Sequence, residues 1–136
     1  ATLIKAQSQL PDIMVNIVRN MGKKLWQSGL PVLDDLHNTS YEWAPEGITA
    51  TDDELRNMKT RNYMQALKDI KPGLTMVIMH CTDPSAVFGK ISASGMTRKG
   101  DLLAMLDPRL RDAIRSERII LTTWRELMER RKSVSK

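Results

Sequence analysis

Apolar residues recur at helical spacing near the start of the chain. Seven of them lie three or four positions apart or adjacent on one helical face, namely Leu10, Ile13, Met14, Ile17, Val18, Met21 and Leu25. This periodicity predicts an amphipathic helix over 11–28. Pro11 suits the first turn of such a helix, where one N–H is unpaired anyway. Gly29 suits its end, because glycine tolerates the left-handed conformation that commonly follows a helix.

Capping signals predict further helices. A threonine three residues before a glutamate forms a capping box, and an aspartate followed by proline marks a helix start. In chain order these signals are Thr51 with Glu54, Asp107 with Pro108, and Thr123 with Glu126. The first signal precedes an apolar stripe of Leu55, Met58, Ala66, Leu67 and Ile70. A short helix is also predicted at 102–105.

Three apolar segments are predicted to be strands: 30–36, 74–81 and 118–123. The sequence "LTMVIMHC" at 74–81 is too continuously apolar for a half-exposed strand. It is typical of a strand that is buried on both faces of a parallel sheet. Helices and strands alternate along the chain, which indicates βα units around such a sheet. The predicted fold class is therefore α/β, with about three parallel strands in one domain over 1–136.

Length and composition narrow the class of protein further. A chain of 136 residues is long enough to bury a real core. Its one cysteine, Cys81, excludes an internal disulfide framework and fits a reducing compartment. No apolar run approaches the roughly 18 residues that a membrane span needs. We therefore expect a cytoplasmic protein with no membrane partner, although a signal peptide removed with an earlier segment is also compatible with the sequence.

Basic residues concentrate in the last third of the chain. Residues 1–89 sum to a charge of −1, whereas residues 90–136 sum to +6. The simplest interpretation is a solvated helix and a flexible basic tail at 130–136. Nucleic-acid binding is a further hypothesis, but aromatic residues make up only 4% of the chain and the helix at 123–131 carries both signs of charge. We expect no nucleic-acid partner.

Polar side chains follow each predicted strand. His80 ends the second strand, the Asp34–Asp35 pair ends the first, and Thr122–Thr123 ends the third. Ligands in α/β folds bind where strands give way to loops at their carboxyl ends. Each residue alone also has a purely structural interpretation: a hydrogen-bonded core histidine for His80, and capping or solvation for the aspartates.

The loop "SGMTRKGDL" at 94–102 adds a second group of candidates. Arg98 and Asp101 lie three residues apart at a predicted helix start. Arg98 is a candidate for binding a carboxylate, a phosphate or a sugar hydroxyl near His80. The alternative is an ordinary Arg98–Asp101 pair within the helix.

Metal ligands are scarce in the sequence. The imidazole and thiol groups are those of His37, His80 and Cys81. His80 and Cys81 are neighbours on a predicted strand, so their side chains should face opposite sides, and Cys81 should pack as a small apolar residue. A catalytic zinc site has three protein ligands. We therefore expect no metal and no other cofactor in this chain.

Four segments together resemble a known family. The segments "GLPVLDD", "KPGLTMVIMHCTDPSAVF", "ISASGMTRKGDLLAMLDPRLR" and "IILTTWRELMERR" are similar to the C-terminal half of YdjC-like (ChbG/HpnK-type) carbohydrate deacetylases. The resemblance spans roughly 29–131. It implies a partial TIM-barrel-like fold and removal of N-acetyl groups from sugars.

The resemblance also assigns roles to individual residues. It implies that His80 lies beside the active site as a general acid or substrate contact, and that Arg98, with Asp101 nearby, binds substrate. In this family a divalent metal is held by an aspartate and two histidines, in motifs that have no counterpart among these 136 residues. The implied protein is thus a C-terminal portion that is inactive without an N-terminal half carrying the metal.

The expected partners follow from these implications. They are the missing N-terminal half or a second copy of the chain, and an acetylated sugar in the intact parent. The helix at 11–28 is the element expected at such an interface. The alternative function is a non-catalytic, helix-rich module for protein interaction or oligomerisation.

Overall fold

The computed structural model describes residues 12–45 and 50–134, which form five α-helices and two short strands. The helices are α1 (Asp12–Gln27), α2 (Asp52–Lys68), α3 (Gly95–Met105), α4 (Pro108–Ser116) and α5 (Trp124–Val134). The strands are β1 (Asp35–His37) and β2 (Thr75–Val77). Two short 3-10 helices, Ser40–Glu42 and Phe88–Lys90, follow the two strands along the chain.

The α/β class that the sequence predicts is confirmed. The strands β1 and β2 pair in parallel, with Asp35 opposite Thr75 and His37 opposite Val77. The helix α2 provides the crossover between them, as parallel pairing requires. Within the described residues the sheet has two strands, whereas about three were predicted.

The predicted third strand at 118–123 does not form. Arg118 adopts a positive φ of 55°, which turns the chain sharply after α4. The Ile119 N–H then donates to the Ile114 carbonyl and closes the helix end. The residues 119–123 carry no strand assignment, and Ile120 and Leu121 are 79% and 73% exposed. Without a paired partner, the apolar composition of this segment is not sufficient to make a strand.

The other two predicted strands are shorter than expected. The second covers Thr75–Val77 instead of 74–81, and it is not buried on both faces, because Met76 is 40% exposed. The first covers Asp35–His37 instead of 30–36. A sheet of two strands covers too little area to bury a continuous apolar run.

The predicted helices are confirmed, with one change of length. The helix α1 ends at Gln27, and Gly29 follows with a positive φ of 86°. Pro11 lies outside the described residues. Thr51 and Glu54 form the complete capping box of α2, and Asp107 caps α4 through the Arg109 N–H. The helix predicted at 102–105 is longer, because it begins at Gly95.

The core lies between α2, α3 and α4. It is built on Tyr63, Ala104 and Leu110, with Trp43 and partly buried apolar side chains packed around them. The helices α2 and α3 approach closely at Gly100, where an added Cβ would lie 2.9 Å from Lys59 Cγ. Glycine at this position therefore permits the contact that carries the core.

The two ends of the described chain pack differently from this core. The helix α5 contains no buried residue, and α1 exposes its apolar side chains. Residues 130–134 of the predicted flexible tail continue α5, and residues 135–136 lie outside the described residues. None of the helices described here is long and apolar enough to cross a lipid bilayer.

Candidate functional site

Three segments meet at the carboxyl ends of the two strands. The chain leaves β1 into the 3-10 helix Ser40–Glu42, and it leaves β2 through 78–82. The first turns of α3 lie against both segments, because the Ser40 hydroxyl and the His80 N–H each reach Asp101. The side chains around the predicted ligand site at the strand ends therefore come from these three segments.

A buried ion pair lies beneath this site. The side chains of Lys59 and Asp101 are 0% and 2% exposed, and Lys59 Nζ lies 2.9 Å from Asp101 Oδ1. The same ammonium donates to the Ser40 carbonyl and, at 2.7 Å, to the Thr97 hydroxyl. Its three hydrogens thus have three oxygen partners, one from the 3-10 helix after β1 and two from α3.

The electrostatics of this pair reflect its burial. Desolvation lowers the pKa of Lys59, and the Asp101 carboxylate opposes that shift. Burial also raises the pKa of Tyr63, which lies one turn further along α2 and keeps its phenol protonated. The Tyr63 ring packs edge-on against Trp43, with ring centroids 4.9 Å apart. Apolar and aromatic surroundings therefore isolate the ion pair from solvent.

His80 is positioned by Asp101 through its backbone. Its N–H donates to Asp101 Oδ2 at 3.0 Å. Its imidazole is half-buried and packs on the Tyr41 ring with centroids 4.5 Å apart. The predicted strand-end histidine thus sits on an aromatic surface at the edge of the core, with its ring still accessible from solvent.

Arg98 lies on the other side of Tyr41. Its Nη2 donates to the Tyr41 hydroxyl at 2.6 Å, and its Nε donates to the Ser94 hydroxyl at 2.8 Å. The guanidinium also lies over the Tyr41 and Phe88 rings, at 5.6 and 5.8 Å from their centroids. The structure therefore brings together His80 and Arg98, as predicted, with Tyr41 between them.

Asp101 takes a different place from the one predicted. It was expected to contact substrate, or to pair with Arg98 within the helix. Its side chain is instead buried and its ion pair is with Lys59, while Arg98 bonds to Ser94 and Tyr41. The geometry favours a positioning role for Asp101, since its carboxylate holds the His80 backbone and the Ser40 hydroxyl.

The other predicted strand-end residues lie elsewhere. Asp34 accepts the Leu74 N–H at 2.7 Å, at the amino ends of β1 and β2, because β1 begins at Asp35 and not at residue 30. Asp35 accepts the N–H of the next residue. Thr123 accepts the Glu126 N–H and opens α5. None of these side chains joins His80 in the contacts described.

The remaining thiol and imidazole groups are those of Cys81 and His37. Cys81 is exposed in the structure, although the sequence predicted a packed thiol. Its pKa is raised by partial burial and by the charge of Asp101, which disfavours the nucleophilic thiolate. Burial lowers the pKa of His37, and its ring contacts the Thr39 hydroxyl and lies 5.9 Å from Trp43.

Sequence reasoning missed Ser40, Tyr41 and Lys59. The two former residues lie in the 3-10 helix Ser40–Glu42, for which no element was predicted from the sequence. Lys59 carried a signal, because it lies four residues after Leu55 and four before Tyr63, both only 2% exposed. A lysine at that spacing occupies the buried face of the helix and needs an anionic partner there.

A separate apolar cleft lies beside β2. Its volume is about 1050 Å³, and it is lined by residues of β2, by α4 and by the unpaired segment 119–123. Its lining includes Thr122, Thr123 and Trp124 but neither His80 nor Arg98, so it is distinct from the candidate site.

Candidate metal ligands are dispersed among the described residues. No group of three His, Cys, Asp or Glu side chains converges there as a set of ligands. The carboxylate that accepts the His80 N–H is that of Asp101, which is held by Lys59. No family model, curated protein or solved structure matches the chain. The resemblance to YdjC-like deacetylases therefore depends on the four sequence segments themselves.

Proposed function

We propose that this chain is the C-terminal portion of a metal-dependent carbohydrate deacetylase of the YdjC-like family. The observation that carries the proposal is the cluster of His80, Tyr41 and Arg98 at the carboxyl ends of two parallel strands. Sites of α/β enzymes form at such ends. Two of these three residues, His80 and Arg98, are residues to which the family resemblance assigns a role.

In this proposal His80 acts as the general acid. Its N–H donates to Asp101, and the residue is only partly buried, which is compatible with the approach of an amide group. Hydrolysis of an N-acetyl group releases an amine, which must receive a proton as the C–N bond breaks. A positioned histidine supplies such a proton at neutral pH, since its unperturbed pKa is about 6.5.

Arg98 is proposed to bind the sugar. A guanidinium has five N–H donors, and the bonds to Ser94 and Tyr41 use two of them. The remaining donors suit hydroxyl or carbonyl oxygens of a substrate that lies against the Tyr41 and His80 rings. Aromatic surfaces with a few fixed polar groups are typical of small-molecule sites.

The proposed parent fold is a TIM-like (β/α) barrel. Its support is that β2 pairs with β1 in parallel and that the segment 119–123, which belongs to the third strand predicted from the sequence, lines a cleft together with residues of β2. The residues of this chain do not fit the divalent metal of the family, because the Asp101 carboxylate is already paired with Lys59. In the proposal that metal belongs to the N-terminal half, which would bring its own ligands, and the chain by itself is inactive.

The test uses a protein extended upstream in its reading frame and an N-acetylated amino sugar as substrate. Replacing His80 by alanine should lower turnover by about 100-fold or more with little change in melting temperature. His37→Ala is the matched control, since His37 does not face Tyr41, and it should keep most activity if the protein folds. Full activity in a folded His80→Ala protein would contradict the proposal.

A second measurement separates binding from proton transfer. Arg98→Gln should raise KM by about 10- to 100-fold, the range expected for losing hydrogen bonds to a charged group. Its kcat should change less than that of His80→Ala. An upstream sequence without an aspartate pair and paired histidines would overturn the family assignment itself.

The second candidate function, an oligomerisation module, is favoured by a different observation. The apolar side chains that the structure describes on α1 are exposed from Ile13 to Trp26. A soluble monomer rarely exposes a continuous apolar stripe of this kind.

A further inference from the structure

The helix α1 turns its apolar stripe away from its own domain. The six stripe residues and their exposures are Ile13 68%, Met14 44%, Ile17 49%, Val18 55%, Met21 58% and Leu25 42%. At 3.6 residues per turn these six positions fall within an arc of about 140°. The charged and amide side chains of α1 fall outside this arc, except Lys24, which lies within it near the end of the helix.

The contacts of α1 with the rest of the chain lie outside that stripe. A Cβ added to Gly22 would lie 3.7 Å from Val32, so this point of the helix faces the body of the protein. The Trp26 ring lies under the Arg131 guanidinium, 3.8 Å from its centroid. Around the helix axis, both Gly22 and Trp26 lie more than about 100° from the centre of the stripe. The attachment of α1 therefore leaves the apolar stripe available for a partner.

We infer that this stripe pairs with the same stripe of a second copy of the chain, with the two α1 helices antiparallel. Complete burial of these exposed fractions would cover roughly 600 Å² per copy and about 1,200 Å² for the pair, which is the lower bound of specific interfaces. A two-fold axis makes the contact self-complementary and closed. The inference does not depend on the proposed enzymatic function.

Charge along α1 selects the antiparallel arrangement. Lys24 lies in the last turn of α1, at a position of the helical wheel between Ile13 and Ile17 and therefore within the stripe. Antiparallel pairing places the Lys24 side chains of the two copies at opposite ends of the interface, and it also opposes the two helix dipoles. A parallel pair would bring the two Lys24 side chains together.

Sedimentation of the full chain over a range of concentrations tests the pairing. The chain should form a dimer, and Ile17→Glu or Met21→Glu should raise its dissociation constant by about 10- to 100-fold, because a carboxylate would then be buried without a partner. Asn16→Glu adds the same charge on the opposite arc and should leave the dimer intact. Circular dichroism checks that each variant keeps its helices.

Two results would overturn the inference. One is a monomer at high concentration in the unmodified chain. The other is a dimer that is lost in Leu121→Glu, a substitution at the 73% exposed rim of the cleft, since α1 would then occupy the cleft of the partner. Retention of the dimer in Leu121→Glu supports pairing between stripes.

Cysteine cross-linking tests the direction of the helices. In a Cys81→Ser background, Ile13→Cys and Leu25→Cys should form an intermolecular disulfide when the two variants are mixed, because antiparallel pairing brings opposite ends together. Neither should cross-link efficiently by itself. Efficient self-linking of Ile13→Cys would instead indicate a parallel pair and contradict the inference.

Discussion

The middle of the chain and its two ends form helices from the same sequence signals, but their side chains are buried to different degrees. Complete capping boxes of threonine and glutamate open both α2 and α5. Yet every buried residue of the described chain lies between residues 39 and 113, and α1 and α5 contribute none. Periodicity and capping are therefore sufficient to form a helix, but burial depends on what the rest of the chain places against it.

The difference arises from long-range contacts. In the middle region, Lys59 on α2 reaches Asp101 on α3, and Thr60 donates to the α4 cap Asp107 at 3.1 Å. At the ends, Arg131 of α5 contacts Trp26 of α1. The middle region is thus joined by buried polar groups as well as by apolar packing, whereas the ends are joined at the surface.

The largest predicted effect comes from breaking the buried ion pair. Lys59→Ala leaves the Asp101 carboxylate without its cation in a site that solvent does not reach. The free energy of unfolding should fall by about 3–5 kcal/mol, the usual cost of removing one partner of a buried pair. Urea denaturation followed by circular dichroism measures this loss.

A matched exposed pair serves as its control. Lys99 and Asp52 also join α3 to α2, at 2.7 Å, but their side chains are 32% and 52% exposed. Lys99→Ala should cost at most about 1 kcal/mol, because solvent screens such pairs. Equal losses for Lys59→Ala and Lys99→Ala would mean that burial does not distinguish the two regions as described.

The sequence predicted helices better than strands, for a physical reason. The signals that start α1, α2, α4 and α5 lie within a few residues of each helix end, and the structure contains all four helices. A strand needs a partner that is distant in sequence, and nothing local indicates whether 118–123 finds one. The apolar content of that segment was correctly noticed, but its exposure could not be predicted from composition.

A smaller effect is predicted at the cap of α4. Hydrogen bonds from Arg109 lower the pKa of Asp107 to about 2, with further support from the Thr60 hydroxyl. The unfolded chain should protonate this carboxyl near its ordinary pKa of about 3.9. The stabilisation by Asp107 is therefore fully present above about pH 4 and is lost as the pH falls towards 2.

Asp107→Ala tests this contribution. The variant should lose about 1–2 kcal/mol of unfolding free energy at pH 7, in the range of an N-cap substitution. Its difference from the unmodified protein should shrink between pH 4 and pH 2. Asp112→Ala removes an exposed carboxylate from the same helix and should change little at any pH. A constant difference for Asp107→Ala across this range would show that the charge is not the cause.

The candidate site was only partly predictable for a related reason. His80 and Arg98 were found because each lies at a recognisable point, a strand end and a helix start. Tyr41 comes from a distant segment, and its contact with both residues exists only in the folded chain. Asp101 was assigned to substrate because the sequence did not show that Lys59 would reach it.

The smallest predicted effect concerns the end of α5 and the proposed basic tail. Removing 132–136 should change the free energy of unfolding by no more than about 0.5 kcal/mol, as for most surface changes. Arg131→Ala should cost more, about 0.5–1 kcal/mol, since it removes the cation–π contact with Trp26 at an exposed site. Lys132→Ala is the matched control, because Lys132 is exposed one position further along the same helix.

This last comparison locates the boundary between packed chain and tail. If 130–136 were a flexible tail throughout, Arg131→Ala and Lys132→Ala would have the same negligible effect on thermal melting. The structure instead predicts that the boundary lies after Arg131, whose Nη2 donates to the Trp26 carbonyl at 2.8 Å. A larger loss for Arg131→Ala would show that the two ends of the chain stabilise each other through this contact, even though neither contributes a buried residue.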